Sequence, residues 1–310
     1  MSRIHDALKK AEEEKATLAG GVVTSAEPER AAEEPRARKP LFTGDHGTTL
    51  PDVMRFNELK QKCAHPNWNV DANANVFADG GRASLAAEQF RTLRSRLYQI
   101  RESKQLKTIV ITSAVAGEGK TFAVSNLAQS LVRQKDRHVL IIDGDLRAAR
   151  QHTTFGAPLS PGLGDFLSGS ADLFSILQFG PIENLCLIPG GSSRSGREPS
   201  DLLSGPEFKH LLELVSPMFD WILIDSPPVV PVADASMMAT LCDGVLVVVK
   251  ANATDFQLAQ KACQEFQEKN LIGVVLNRVE SIPGYENYGY GYGVYSAYGA
   301  NKNSGLTSAE

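Results

Sequence analysis

The chain has 310 residues, 42% hydrophobic and 22% charged, the balance of a soluble globular protein with room for one large domain or two small ones. A formal net charge of −4 argues against nucleic-acid binding through a strongly basic surface. No apolar run nears the ~20 residues of a spanning helix and the N-terminus has no apolar secretion segment, so any membrane tie is expected to run through a partner.

Residues 2–15, "SRIHDALKKAEEEK", place Ile4, Ala7, Leu8 and Ala11 on one stripe behind a capping Ser2. A short amphipathic helix is expected over 1–17. At this length it either docks on a surface or frays in solvent. Residues 18–82 are rich in Ala, Glu, Pro, Arg and Gly ("SAEPERAAEEPRARKP") and poor in large apolar side chains, which reads as a flexible linker with room for ordered stretches.

Helical spacing resumes in "ASLAAEQFRTLRSRLYQIR" (83–101), with Leu85, Phe90, Leu93, Leu97 and Ile100 recurring on one face. Six strands are predicted beyond it, at 108–112, 139–143, 185–188, 221–225, 244–249 and 272–276. Helical patterns at 120–133, 206–215 and 256–269 lie between them. Near-continuous Val/Ile/Leu strands separated by helices indicate a doubly wound α/β fold over 83–282, a mainly parallel sheet with helices on both faces.

The first predicted strand runs into "ITSAVAGEGKT" (111–121) and then a helix. A Gly-rich turn in that context is a P-loop: its backbone N–H groups and the helix N-terminus receive phosphate, Lys120 reaches the β- and γ-phosphates, and the Thr121 hydroxyl can ligate Mg²⁺. Ala114 stands where the consensus has glycine, and a purely structural turn is the bland alternative. Gly117, Glu118, Gly119, Lys120, Thr121 and Phe122 are the expected ATP-binding stretch.

"LIIDGDLR" (140–147) puts Asp143 and Asp145 just after the second predicted strand, and "WILIDSPP" (221–228) puts Asp225 at the tip of another. Ligands of open α/β sheets bind beyond the strands' carboxyl ends, so the three acids should converge on the P-loop. One such Asp alone could be a helix cap. No role for Arg147 follows from the sequence, and Asp234 in "PVADA" reads as structural.

The four cysteines, Cys63, Cys186, Cys242 and Cys263, form no C-x-x-C pair and make no metal cluster with the six histidines, as expected of reduced cytosolic thiols. Of seven tyrosines, Tyr285, Tyr288, Tyr290, Tyr292, Tyr295 and Tyr298 lie in "GYENYGYGYGVYSAYG" (284–299). Alternation with glycine, serine, alanine and asparagine makes 283–310 an expected flexible, exposed tail, either a low-complexity sticky segment or a substrate.

Taken together, the P-loop, the acidic strand at 140–147, the second at 222–228 and the tyrosine cluster resemble the bacterial tyrosine kinases of the BY-kinase family, P-loop autokinases associated with exopolysaccharide synthesis. "EQFRTLR" also resembles the family's E-x-x-R-x-x-R element, and the opening "SRIHDALKKAE" resembles the start of its stand-alone members.

The resemblance implies ATP and Mg²⁺ as cofactors, with Lys120 on the phosphates, Thr121 and Asp225 on the metal, Asp145 on a water of its shell and Asp143 deprotonating or orienting tyrosine. Asn277, in "GVVLNR", sits where related ATPases contact adenine. The implied partners are further copies in a ring, through Glu88, Arg91 and Arg94, a polysaccharide co-polymerase adaptor at the membrane and a tyrosine phosphatase, but no nucleic acid. The rival readings are a partition or division-site ATPase switch, whose signature lysine and glycine are replaced here by Val115 and Ala116, and a nucleotide-binding scaffold without chemistry.

Overall fold

The computed structural model describes residues 56–78, 84–192, 196–267 and 270–279. The expected helix over 1–17, the tyrosines of the tail over 283–310 and most of the 18–82 segment lie outside them. Among the described residues no helix is long and apolar enough to cross a membrane.

The strands are β1 (Thr108–Ser113), β2 (Val139–Asp143), β3 (Gln178–Phe179), β4 (Leu185–Ile188), β5 (Trp221–Asp225), β6 (Gly244–Lys250) and β7 (Leu271–Asn277). They form one sheet in the order β3-β4-β2-β5-β1-β6-β7, parallel throughout except for the β3–β4 pair. The six predicted strands are present. The two-residue β3 escapes prediction because it is too short to carry a periodicity.

β1, β2, β4 and β5 are buried along their whole length, as continuous apolar strands in a parallel sheet must be when both faces are covered. Alternate residues feed two cores: Val110, Leu140 and Ile142 face one side, Ile109, Ile111, Val139 and Ile141 the other. The second face is covered by α2 (Leu85–Ser103) and α3 (Lys120–Val132), through Leu97, Leu127 and Leu131. Ser84 caps α2 by accepting a hydrogen bond from the Ala87 N–H.

Part of the expected linker is ordered. Residues 56–78 begin with α1 (Phe56–Lys62) and pack across the domain, burying Phe56, Leu59, Cys63, Trp68 and Phe77. Composition does not locate this ordered stretch, because these few apolar side chains need no core of their own; they dock on the domain. The Trp68 ring lies flat on Gly180, where an added Cβ would come within 2.1 Å of it, and packs 5.3 Å from the Phe155 ring. Phe56 stacks on His138 at 3.7 Å.

The same segment fastens two helices that matter below. Asn126 of α3, fully buried, accepts from the Val76 N–H and donates to the Ala74 carbonyl, while the Asp71 N–H donates to the Thr154 carbonyl of α4 (Gln151–Phe155). Trp68→Ala is expected to cost about 3–5 kcal/mol, lowering Tm by roughly 10 °C. Calorimetry checks this, and an unchanged Tm would mean the segment adds nothing to the fold.

Candidate active site

Strand order brings the site together. β5 lies between β1 and β2, so the turn after β1 and the tips of β2 and β5 open at one edge, with Asp143 and Asp225 directly paired across β2–β5. After β1 the chain turns through Gly117 (φ 84°) and Gly119 (φ 95°), a left-handed backbone that side chains resist, and Gly119 caps α3. Lys120 and Thr121 occupy the first turn of a 13-residue helix, where free N–H groups and the helix dipole favour an anion.

The turn is braced from within. The Glu118 carboxylate is buried and accepts from the Val115 N–H (2.8 Å), the Lys250 N–H (3.3 Å) and the Thr254 hydroxyl. Its side chain therefore ties the P-loop to the end of β6, and its carboxylate is engaged there. Phe122 likewise turns its ring to Phe90 of α2, 5.9 Å away. Asn277 donates to the Glu118 carbonyl at 2.8 Å, which places it beside the loop, where a Cβ on Gly119 would collide with its amide.

The two tip carboxylates are buried together. Asp143 Oδ2 accepts from the Arg150 and Gln151 N–H groups, at 3.0 and 2.9 Å, and Asp225 Oδ2 accepts from Gln151 Nε2 at 2.9 Å. Oδ1 of each is buried with no hydrogen-bond partner. Burial, reinforced by the Asp225 charge, pushes the Asp143 carboxyl well above the usual range. Burial also pushes Asp225 up to about 6, against the Thr121 hydroxyl and the Lys120 ammonium, which favour its charged form.

Two neighbouring carboxylates with an unpartnered oxygen each are costly to ionise unless a cation joins them. Hard oxygen donors beside a phosphate cradle and the Thr121 hydroxyl are the donor set Mg²⁺ takes. Among the described residues no group of three or more His, Cys, Asp or Glu could hold a metal. A cation here needs phosphate oxygens to complete its shell, as Mg²⁺ in nucleotide sites does.

Asp145 is half-buried and accepts from the Ala148 N–H at 3.0 Å, the turn-capping role open to any such Asp; its charge still adds to the proton affinity of Asp143 and Asp225. Gly144 between the two acids lets β2 close on β5: its N–H donates to the Asp225 carbonyl at 2.7 Å, and a Cβ there would meet that oxygen at 2.9 Å. Gly190, after β4, lies close to Asp143: a Cβ there would come within 3.9 Å of the carboxylate carbon.

Arg147 gains a role the sequence did not give it: its Nε donates to Asp234 Oδ2 at 2.9 Å, with Glu198 at 3.7 Å, linking the loop after β2 to the helix Asp234–Ala239. Asp234 is buried and engaged in this ion pair. No motif in the sequence marks Gln151, whose amide meets Asp225. Glu88, Arg91 and Arg94 lie on α2 away from these carboxylates: Glu88 pairs with Arg91, and Arg94 donates to the Ser130 carbonyl of α3 at 2.6 Å.

Known proteins resemble this chain in sequence and in fold. An AAA-domain family model matches residues 106–270. The chain is 33% identical over 212 residues to the tyrosine-protein kinase CpsD of Streptococcus agalactiae, covering 67% of this chain and 90% of that one. It is 31% identical over 218 residues to the tyrosine-protein kinase YwqD of Bacillus subtilis, covering 70% and 90%. The structure is similar to the kinase domain of the Escherichia coli tyrosine kinase ETK, with TM-score 0.64 and 27% identity over 71% of this chain and 84% of that one.

Proposed function

The chain belongs to the bacterial tyrosine-protein kinase family, and from that premise we propose that it transfers the γ-phosphoryl group of ATP to tyrosines of its own tail, in trans within an oligomer. The observation that carries this reading is the meeting of Lys120 and Thr121 with two buried carboxylates that each keep one oxygen free.

The chemistry asked of such a site is positioning and charge neutralisation. The P-loop N–H groups and Lys120 bind the phosphates, and Asn277 contacts the adenine. Thr121 and Asp225 would hold Mg²⁺, Asp145 acting through one of its waters; bound there, the ion would neutralise charge on the β- and γ-phosphates. A tyrosine oxygen bonds to the γ-phosphorus, the bond from that phosphorus to the ADP oxygen breaks, and the phenolic proton passes to Asp143. A phenol is mostly neutral at pH 7, so a carboxylate with raised proton affinity is suited to receive it.

Tyr285, Tyr288, Tyr290, Tyr292, Tyr295 and Tyr298 are the proposed acceptors, reached across an interface that includes Glu88, Arg91 and Arg94. Six phosphates would add roughly nine to twelve negative charges, enough repulsion to separate adjoining tails and dissociate a ring. A membrane adaptor and a tyrosine phosphatase would then set the cycle that regulates exopolysaccharide synthesis or export.

Incubation with ATP and Mg²⁺ followed by mass spectrometry is expected to place phosphate on these tyrosines. An unmodified tail in a chain that phosphorylates itself elsewhere would reject the acceptor assignment. Phosphate released to water with none on protein would favour the ATPase-switch reading, which family membership disfavours.

A further inference from the structure

Gln151 is fully buried, and both hydrogens of its side-chain amide are committed: Nε2 donates to Asp225 Oδ2 at 2.9 Å and to the Thr121 carbonyl at 3.2 Å. Its backbone N–H holds Asp143 Oδ2 at 2.9 Å. One residue thus touches both tip carboxylates and the backbone of the P-loop threonine. We propose that Gln151 is a positioning residue for the divalent cation, an amide clamp that fixes Asp225 and Thr121 relative to one another and turns Asp225 Oδ1 toward the phosphate site. This rests on the nucleotide-site reading above.

The amide's orientation follows from its partners. A carboxylate oxygen and a carbonyl oxygen both need donors, so only the NH₂ end can face them; flipped, Oε1 would confront two acceptors. The donors are then exhausted, Oε1 is left buried without a partner, and Asp225 Oδ1 receives nothing from the protein. The clamp is supported from behind. Phe155, one turn along α4, is fully buried against Trp68, and the Asp71 N–H holds the Thr154 carbonyl at 3.0 Å. A rigid residue that orients a cation ligand typically changes metal affinity ten-fold or more when lost.

The test is ADP binding to the full chain by titration calorimetry, in EDTA and across a MgCl₂ series, for wild type, Gln151→Met (same length, no N–H) and Gln151→Asn (an amide one methylene too short to span both partners). Folding of each variant is followed by its Tm, and Asn carries the comparison if Met does not fold. Expected are metal-free ADP affinities within about two-fold of wild type and a Mg²⁺ half-saturation concentration raised at least ten-fold. An unchanged Mg²⁺ dependence overturns the inference. So does an equal loss with and without Mg²⁺, the mark of a merely structural role. Wild-type binding indifferent to Mg²⁺ would instead strike the nucleotide-site reading, and the clamp with it.

Discussion

Lys120→Met is expected to abolish self-phosphorylation, by about a thousand-fold or more, while leaving the fold intact. The side chain is buried at the first turn of α3, and methionine keeps its aliphatic stem there. What is lost is the ammonium. Phosphoryl transfer gathers negative charge on the phosphate oxygens, and in a site screened from water a fixed cation counts for several kcal/mol, so its removal acts on rate far more than on stability. The loss also reaches Asp225, whose charged form Lys120 favours; without it that carboxylate holds its proton more tightly and is a poorer cation ligand.

A phosphotyrosine blot of variant beside wild type reads the first effect. Calorimetric ADP affinity and Tm read the rest. Persistent phosphotyrosine at the wild-type level would remove Lys120 from the chemistry and the P-loop reading with it. Running the blot with labelled ATP also separates the classes, since a kinase retains part of the label on protein and a switch gives all of it to water.

The parts of this site that sequence revealed are those whose chemistry is local. Gly119, Lys120 and Thr121 are contiguous, and Asp143 and Asp225 each terminate an apolar run that had to be a central strand; parallel order then brings them together. Gln151 and Glu118 behave differently. The pairing of Gln151 with Asp225 spans 74 residues and that of Glu118 with Thr254 spans 136. No periodicity marks a polar residue whose partners depend on where a five-residue helix comes to rest.

The same reasoning explains residues 56–78. Phe56, Trp68 and Phe77 are too sparse to suggest a core, yet all three are buried, Phe56 and Trp68 within the cores that distant elements build. Composition judges whether a segment can fold alone, and this one does not need to. Its contacts through Asn126 to α3 and through Trp68 to Phe155 of α4 put it directly behind both halves of the nucleotide site. Changes there should therefore register in ADP binding as well as in Tm.

Asp143→Asn should produce opposite effects on activity and stability. Phosphotransfer should fall by roughly 10²–10⁴-fold, the usual contribution of a positioned proton acceptor. The metal-free protein should nevertheless become more stable at pH 8. Ionising two carboxylates buried side by side opposes folding, and asparagine removes one of the two titrating groups while still offering an oxygen to the Arg150 and Gln151 N–H groups.

The pH dependence fixes the sign. Asp225 titrates near 6 in the folded chain against ~3.9 unfolded. Below pH ~4 both states are protonated and its stability contribution is fully present. As pH rises through about 6 the folded state must give up a proton the unfolded state has already lost, and stability declines by about 3 kcal/mol. Asp143, raised for the same reason, adds to the decline. Wild type in EDTA should thus melt higher at pH 5 than at pH 8, and Asp143→Asn should flatten that slope, its advantage over wild type shrinking toward pH 5. With Mg²⁺ and ATP the order should reverse at pH 8, because only the intact pair gains fully from the ion. A variant less stable than wild type in EDTA at pH 8 would show that this pair is not under electrostatic strain, and that its free oxygens do not await a cation.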